Sequence, residues 1–285
     1  MTGSWTLDDA ARVLRMPTAA DDKYSRGVVG IRTGSDAYPG AAVLGVEAAW
    51  RTGIGMVRYL GPSRPTGLVL ARRPETVAAA GRVQAWVIGS GTDANDRQAA
   101  ETAALRAILS GPHPVVVDAG ALDLARGAPA PRVLTPHARE HARLRTALGL
   151  DPDVGTSDDE RRVAAVETAA TAGAVVVLKG SATVVARPDG WSVIVESGTP
   201  WLATAGTGDV LAGVLGAVLA SAAAGPPDSL DLGAAAATGV WLHGAAATRA
   251  SARTGGGPIT ALDVAEALPP VVAEVLQRAA EAPSI

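Results

Sequence analysis

Short, valine-rich apolar runs alternate with alanine-rich helical patterns through most of the chain, and this alternation constrains the fold more than any other feature. Strands are predicted at 28–31, 56–60, 85–88, 115–117, 133–134 and 175–178. Helices are predicted between them at 41–51, 96–109, 138–148 and 159–172. Such alternation is typical of a parallel sheet with helices on both faces. Uninterrupted runs such as Val-Val-Val fit strands that are buried on both sides.

The last third of the chain has a different pattern. Residues 183–187 and 192–196 flank the turn sequence Pro188-Asp189-Gly190-Trp191, which predicts an antiparallel hairpin. Three long helical stretches follow at 210–224, 232–251 and 261–280. Because no long linker rich in Pro, Gly and Ser divides the chain, we predict one domain over residues 1–285. Residues 1–22 are expected to form a loosely attached N-terminal segment.

Composition excludes several functional classes. The chain has 285 residues, no cysteine and a net charge of −3. Disulfides, zinc fingers and thiol catalysis are therefore excluded, and the acidic balance argues against nucleic acid as the main partner. No apolar run reaches the roughly 18 residues of a membrane span, and the N-terminus lacks a secretory signal. We expect a cytoplasmic protein without membrane or nucleic-acid partners.

A glycine-rich turn, Gly206-Thr207-Gly208, leads through Asp209 into an apolar helix. Glycines allow backbone N–H groups to converge on an anion, and a helix N-terminus adds a favourable dipole. Asp209 is predicted in the first helical turn. It is then either a residue that stabilises the helix start or a general base beside an anion-binding turn, and the spacing alone favours neither.

A second segment, Lys179 to Thr183, follows a predicted buried strand. Ligands of open α/β sheets collect at the carboxyl ends of strands, and Lys179 with its neighbouring hydroxyl groups suits phosphate. The alternative is an ordinary turn, which this segment alone favours. Only Lys23 and Lys179 are lysines among 25 basic residues, which makes Lys179 distinctive.

A third segment, Thr135-Pro136-His137, ends another strand. Read onward, residues 137–141 match the H-x-x-E-H pattern of some metalloproteases. Pro136 instead predicts a strand end followed by a helix start, which disfavours a zinc site. His137 is then placed to face a ligand, whereas His141 is expected to be partly exposed on the helix.

Further polar and glycine-rich strand ends extend this pattern. Gly91 lies in a glycine cluster after a strand, and residues 34–40 precede the helix that begins near Ala41. Each allows backbone to approach a ligand closely, although a simple turn is the default interpretation. Asp118 also ends a buried strand, where it either approaches a metal or phosphate through water or caps a helix.

Taken together, these segments resemble the ADP-dependent NAD(P)H-hydrate dehydratases, which have a ribokinase-like fold. The resemblance spans about residues 23–280. The sequences that carry it are YPGAAVL at 38–44, VVVDAGAL at 115–122, TPH at 135–137, LKGSAT at 178–183 and ATAGTGDVLAG at 203–213. The resemblance implies a three-layer sandwich with a mostly parallel central sheet and helices on both faces.

The resemblance also implies a repair reaction. Hydration of NADH or NADPH gives NADHX or NADPHX, which no longer donate hydride. The family uses ADP to remove the added hydroxyl from the S form, which restores NADH or NADPH and yields AMP and phosphate. This implies a lyase with ADP as co-substrate and Mg²⁺ as cofactor.

Site residues follow from the same resemblance. It implies Asp209 as the base at the hydrated ring and Gly206, Thr207 and Gly208 as the anion hole. The adenine nucleotide would contact Lys179, Gly180, Ser181, Ala182, Thr183 and Gly208, and the hydrated dinucleotide would contact Ala41, Gly91 and His137. No metal-ligating residue is assigned.

The resemblance further implies a homo-oligomer, with a tetramer as one form. Some family members carry an epimerase domain ahead of the dehydratase. Because this chain begins close to Lys23, we expect no epimerase activity of its own and cooperation with a separate NAD(P)HX epimerase.

Two other functions stay open on the residues alone. A ribokinase-like, ATP-dependent kinase of a small vitamin-type alcohol would use the same turn and base. A non-catalytic nucleotide sensor would share the turn, although binding alone needs no base.

Overall fold

Valine-rich strands form one mixed sheet in the computed structural model, which describes residues 4–226 and 230–281. The strands are β1 (Val28–Arg32), β2 (Met56–Tyr59), β3 (Ala85–Ile88), β4 (Val115–Val117), β5 (Arg132–Leu134), β6 (Val175–Leu178), β7 (Thr183–Ala186) and β8 (Ser192–Val195). Their order is β2-β1-β3-β4-β5-β6-β7-β8. Neighbours from β2 to β6 pair in parallel, and β6-β7 and β7-β8 pair antiparallel, so the predicted hairpin is confirmed.

Helices cover both faces of this sheet. They are α1 (Leu7–Ala11), α2 (Gly40–Arg51), α3 (Ser63–Arg72), α4 (Ala99–Leu109), α5 (Ala138–Leu148), α6 (Asp158–Ala172), α7 (Thr207–Ala222), α8 (Leu232–Ala252) and α9 (Ala261–Glu281), with 3₁₀ turns at Ala119–Leu124 and Pro200–Leu202. One face packs on α2, α7, α8 and α9, and the other on α4, α5 and α6. The predicted three-layer α/β sandwich with a mostly parallel sheet is therefore confirmed.

Strand β4 shows why both faces are covered. Val116 packs into the core beneath α7, whereas Val115 and Val117 pack into the core on the opposite face. All three are fully buried. Because successive strand side chains point to opposite faces, a run of three valines requires an apolar layer on each side.

Several element bounds differ from prediction. Helix α7 begins at Thr207, three residues before the predicted start, because Gly206 provides a left-handed N-cap with φ of 91°. Helix α3 was not predicted, since Pro65 and Gly67 interrupt its pattern; Pro65 lies in the first turn, where proline is tolerated. Among the helices of the described residues, none has the length and apolar character needed to cross a membrane.

The N-terminal segment contains α1, which packs against α8 and α9. Ala10 is fully buried, and Asp8 pairs with Arg278 at 2.5 Å. Residues 1–3 of the predicted segment lie outside the described residues. The predicted loose attachment of residues 1–22 and the single domain over the whole chain stay predictions.

Helices α2 and α7 cross at two glycines. A side-chain carbon placed on Gly213 would overlap the carbonyl oxygen of Gly45, so the two backbones are in direct contact. Further along α7, a side chain on Gly216 would overlap Val87 of β3. Glycine is required at these positions because any larger residue would separate α7 from its neighbours.

We expect Gly213→Ala to lower the free energy of unfolding by about 1–3 kcal/mol, because the added methyl group overlaps backbone. Gly67→Ala is the matched control: it lies in α3 with no atom near its added methyl group. That control should stabilise by about 0.4–1 kcal/mol. Urea unfolding measures the free energy of unfolding of each variant. Equal values for the two variants would contradict the direct backbone contact between α2 and α7 at Gly213.

Candidate functional site

Four strand ends meet at one buried carboxylate. Asp118, directly after β4, is 3% exposed. Its Oδ1 accepts hydrogen bonds from Thr135 Oγ1 at 2.7 Å and from Lys179 Nζ at 2.9 Å, and its Oδ2 accepts from Ser90 Oγ at 2.8 Å. These partners follow β5, β6 and β3. The predicted convergence of polar strand ends is therefore present, and Asp118 is its centre.

Lys179 is the cation of this cluster. Its ammonium group is 2.9 Å from Asp118 Oδ1 and 3.8 Å from Glu140 Oε2. Burial lowers the pKa of Lys179, but the attraction of Asp118, Glu140 and Asp209 outweighs burial and raises it above the ordinary value. Lys179 is therefore charged, and its charge is shared among three carboxylates.

Asp209 lies in the first turn of α7, as predicted. Burial and the nearby charge of Asp118 raise the pKa of Asp209 to about 6, and Lys179 opposes this only in part. A carboxylate with a pKa near 6 is ionised at neutral pH and still binds a proton readily, which suits a general base. A role only in stabilising the helix start would not require this burial.

The turn before Asp209 has the features of an anion site. Gly206 is the N-cap of α7 and has no side chain to accept the first helical N–H groups. Thr207 Oγ1 lies 2.8 Å from the carbonyl oxygens of both Leu202 and Thr204, which fixes the turn. At Gly208, a side-chain carbon would lie 3.9 Å from Lys179 Nζ. The predicted anion-binding turn and Lys179 are therefore neighbours.

Ala41 and Gly91, both predicted to contact substrate, also lie together. Gly91 has a φ of 66°, and a side chain on it would overlap the Cβ atom of Ala41. Ala41 occupies the first turn of α2, the helix that crosses α7. The carbonyl oxygen of Tyr38 would lie 3.0 Å from the same added atom, and the Tyr38 side chain is exposed.

His137 is the N-cap of α5, which confirms the predicted strand end and helix start. Its Nδ1 accepts from the backbone N–H groups of Arg139 and Glu140, and Glu140 Oε2 accepts from the N–H of His137 at 2.8 Å. The expected partial exposure of His141 is wrong. His141 is 1% exposed and its Nε2 is 2.9 Å from Thr168 Oγ1, because α5 packs against α6.

The segment after Lys179 is a supported loop. The backbone N–H of Lys179 donates to Pro136 at 2.9 Å, which joins it to the His137 segment. Arg161 of α6 donates to the carbonyl of Ala182 at 2.8 Å, and a side chain on Gly180 would displace its guanidinium group. Ser181 is exposed, whereas Ala182 and Thr183 are buried.

Four residues near this cluster, Ser90, Thr135, Glu140 and His243, are not among the site residues predicted from the sequence. Ser90 and Thr135 are hydroxyl residues at strand ends, and this position is a signal that the sequence carries. Glu140 forms a capping box with His137, a local pattern that predicts no contact with Lys179. His243 of α8 is 7% exposed, and burial lowers its pKa to about 4, with the charge of Lys179 acting in the same direction. Nothing in its alanine-rich helix indicates that it lies near Thr207.

Fold and site together define an α/β protein with an acid beside an anion-binding helix start, as in ribokinase-like enzymes. The sequence profile described as NAD(P)H-hydrate dehydratase matches residues 29–270. The chain belongs to the NAD(P)H-hydrate dehydratase family, whose members are hydro-lyases.

Individual relatives agree with this assignment. The chain is 46% identical over 225 residues to the bifunctional NAD(P)H-hydrate repair enzyme Nnr of Mycobacterium tuberculosis, covering 75% of this chain and 45% of that protein. It thus spans less than half the length of that relative. The ADP-dependent (S)-NAD(P)H-hydrate dehydratase of Neisseria meningitidis is 38% identical over 244 residues, covering 79% of this chain and 77% of that protein.

A solved structure is also similar. It is the ADP/ATP-dependent NAD(P)H-hydrate dehydratase of Bacillus subtilis, co-crystallised with ATP and Mg²⁺. The TM-score is 0.81 at 28% identity, and the match covers 96% of this chain and 99% of that one.

Asp209→Asn is expected to stabilise the protein at pH 8. The folded-state pKa of about 6 lies above the ordinary value of 3.8, so the folded protein binds this proton more tightly than the unfolded chain. The resulting stability is present below pH 4 and is lost as pH rises through 6. The variant should therefore gain on the order of 1–3 kcal/mol at pH 8 and little at pH 4.

Asp21→Asn provides a control of opposite sign. Arg15 donates two hydrogen bonds to Asp21 and holds its pKa far below the ordinary value. Removing this charge should destabilise the protein almost equally at pH 8 and pH 4, because the pKa of Asp21 in the folded protein lies far below 4. Urea unfolding at both pH values checks both variants. A lower free energy of unfolding for Asp209→Asn at pH 8 would contradict the inference that the ionised, buried carboxylate of Asp209 destabilises the folded protein.

Proposed function

We propose that this chain carries out the ADP-dependent dehydration of the S forms of NADHX and NADPHX, giving NADH or NADPH, AMP and phosphate. The observation that carries the proposal is the position of Asp209. It is a buried carboxylate with a raised pKa, in the first turn of a helix that begins at an uncapped glycine turn beside Lys179. Family membership supports the same reaction.

The proposed chemistry needs a base and a phosphate site together. Hydroxide is a poor leaving group, whereas phosphate is a good one. Asp209 accepts the proton of the substrate hydroxyl group. The hydroxyl oxygen of the substrate attacks the β-phosphorus of ADP, and AMP leaves. The phosphate ester then breaks at its carbon–oxygen bond, and the proton of the adjacent ring carbon passes to the departing phosphate. The hydroxyl oxygen leaves in phosphate, and the ring double bond is restored.

Each site residue has a part in this proposal. The N–H groups of the Gly206-Thr207-Gly208 turn stabilise the charge on the transferred phosphoryl group. Lys179 and the loop from Gly180 to Thr183 bind ADP. Ala41, Gly91 and His137 line the pocket for the hydrated ring, which places the hydroxyl at Asp209.

Magnesium fits the donors around this site. Mg²⁺ in nucleotide sites is held by one or two carboxylates, phosphates and water. Asp118 and Glu140 are the carboxylates within 4 Å of Lys179 Nζ and would hold such an ion beside the nucleotide. No group of three or more potential ligand side chains converges within residues 4–226 and 230–281, so phosphates would supply much of the coordination. Bound there, Mg²⁺ neutralises phosphate charge.

The setting of the reaction is also part of the proposal. We expect a cytoplasmic homo-oligomer, with a tetramer as the form that the resemblance implies, working beside an NAD(P)HX epimerase. Light scattering of the purified protein measures the assembly.

Turnover is tested by absorbance at the reduced-nicotinamide band with NADHX and Mg²⁺. We expect a rise that requires ADP and produces AMP. Because ionised Asp209 is required, kcat/KM should fall about tenfold per pH unit below pH 6. Asp209→Asn should lose turnover and retain ADP binding, since the backbone turn is unchanged. A stable phosphate ester formed from ATP, with no rise in absorbance, would instead indicate a kinase.

Two substitutions separate the two ligand pockets. Lys179→Ala should weaken ADP binding at least tenfold, because it removes the cation beside the anion-binding turn. His137→Ala should weaken binding of NADHX more than binding of ADP. Calorimetric titration of each variant with each ligand checks both expectations. Wild-type affinities in both variants would refute the assignment of the pockets.

A further inference from the structure

A cavity of about 690 Å³ opens beside the candidate site, and Glu140 is the one residue of its walls that has a role in the reaction as proposed above. Thr92, after β3, the 3₁₀ turn after β4, and α5, after β5, form its walls. It therefore lies on the carboxyl edge of the sheet, where ligands of such sheets bind. Its volume is within the roughly 300–1,000 Å³ of small-molecule sites.

The cavity reaches the candidate site through Glu140. This residue lines the cavity, accepts a hydrogen bond from the N–H of His137, and lies 3.8 Å from Lys179 Nζ. A ligand that passes the N-terminus of α5 would extend from the proposed ring pocket into the cavity. The hydrated dinucleotide is such a ligand, because its adenosine half is joined to the reacting half by a flexible diphosphate.

The walls combine apolar side chains with cations that lack carboxylate partners. Leu122 and Leu144 provide apolar surface. Arg126 donates only to the carbonyl of Ala147, at 3.0 Å, and Arg143 has no hydrogen bond or ion pair within the described part of the chain. Both are exposed, so their guanidinium groups are available to a ligand.

The carboxylates of the cavity form no ion pair with these arginines. Asp123 accepts two hydrogen bonds from Arg97, whose own side chain is 5% exposed. Asp93 accepts from Asn95, and Glu140 accepts from His137. The cavity therefore offers an apolar surface with two exposed guanidinium groups that have no carboxylate partner, a combination suited to a base and a phosphate.

We infer that this cavity binds a phosphorylated adenosine, namely the adenosine half of the hydrated dinucleotide, with Arg126 and Arg143 contacting its phosphate groups. This inference rests on the proposed function for the identity of the substrate. The 2′-phosphate that distinguishes NADPHX from NADHX would pair with these two arginines, which have no carboxylate partner, so the cavity favours NADPHX. ADP carries the same chemistry, and the experiment separates these two sources.

Calorimetric titration with adenosine 2′,5′-bisphosphate, with and without saturating ADP, tests the inference without relying on turnover. We expect wild type to bind this probe equally well in both conditions, because ADP occupies the Lys179 loop. The double variant Arg126→Glu/Arg143→Glu should bind the probe at least tenfold more weakly than wild type does. Arg106→Glu, an exposed arginine on α4 outside the cavity, is the matched control and should stay within twofold of wild type.

Turnover then gives a second readout. The double variant should raise KM for NADPHX at least tenfold, raise KM for NADHX less, and leave KM for ADP unchanged. Probe binding that is absent, displaced by ADP, or unaffected by the double substitution would overturn the inference. A wild-type protein that binds the probe as expected but does not convert NADHX would refute the proposed function and leave the cavity as an adenosine phosphate site.

Discussion

The ion pair between Asp118 and Lys179 organises the functional edge of this protein. It connects the residue after β4 to the residue after β6, and Ser90 and Thr135 donate to the same carboxylate from the ends of β3 and β5. One carboxylate thereby fixes four consecutive strand ends. Loss of either charged partner would leave the other buried and uncompensated, which costs several kcal/mol in proteins.

This ion pair also contributes, after burial, to the raised pKa of Asp209. A free lysine beside Asp209 would hold its pKa low and make it a weak base. Because Asp118 already shares the charge of Lys179, burial and the repulsion from Asp118 prevail, and the pKa of Asp209 rises to about 6. The charges of these three groups are therefore coupled, and the proposed reaction would use them for nucleotide binding and proton transfer.

The sheet, its covered faces and the strand ends could be predicted from the sequence, because a strand that is buried on both sides has an uninterrupted run of apolar residues such as valine. Asp209 in a first helical turn and His137 at a helix start were also predictable, since glycine and proline define those boundaries locally. The contacts of Glu140 and His243 were not predictable, because they depend on how α5 and α8 dock against the rest of the fold. For the same reason His141 appeared exposed, although the packing of α5 on α6 buries it.

The crossing of α2 and α7 has a consequence for how the site evolves. Ala41 lies in the first turn of α2, and Asp209 lies in the first turn of α7. The direct backbone contact between Gly45 and Gly213 sets the distance between these two helices. Selection for the reacting geometry therefore acts on two residues that lie inside the helix layer, away from the ligand pockets. A search for functional positions that scores only proximity to ligand would pass over both glycines, although they set the distance between Ala41 and Asp209, the two residues that the proposed reaction brings to the substrate.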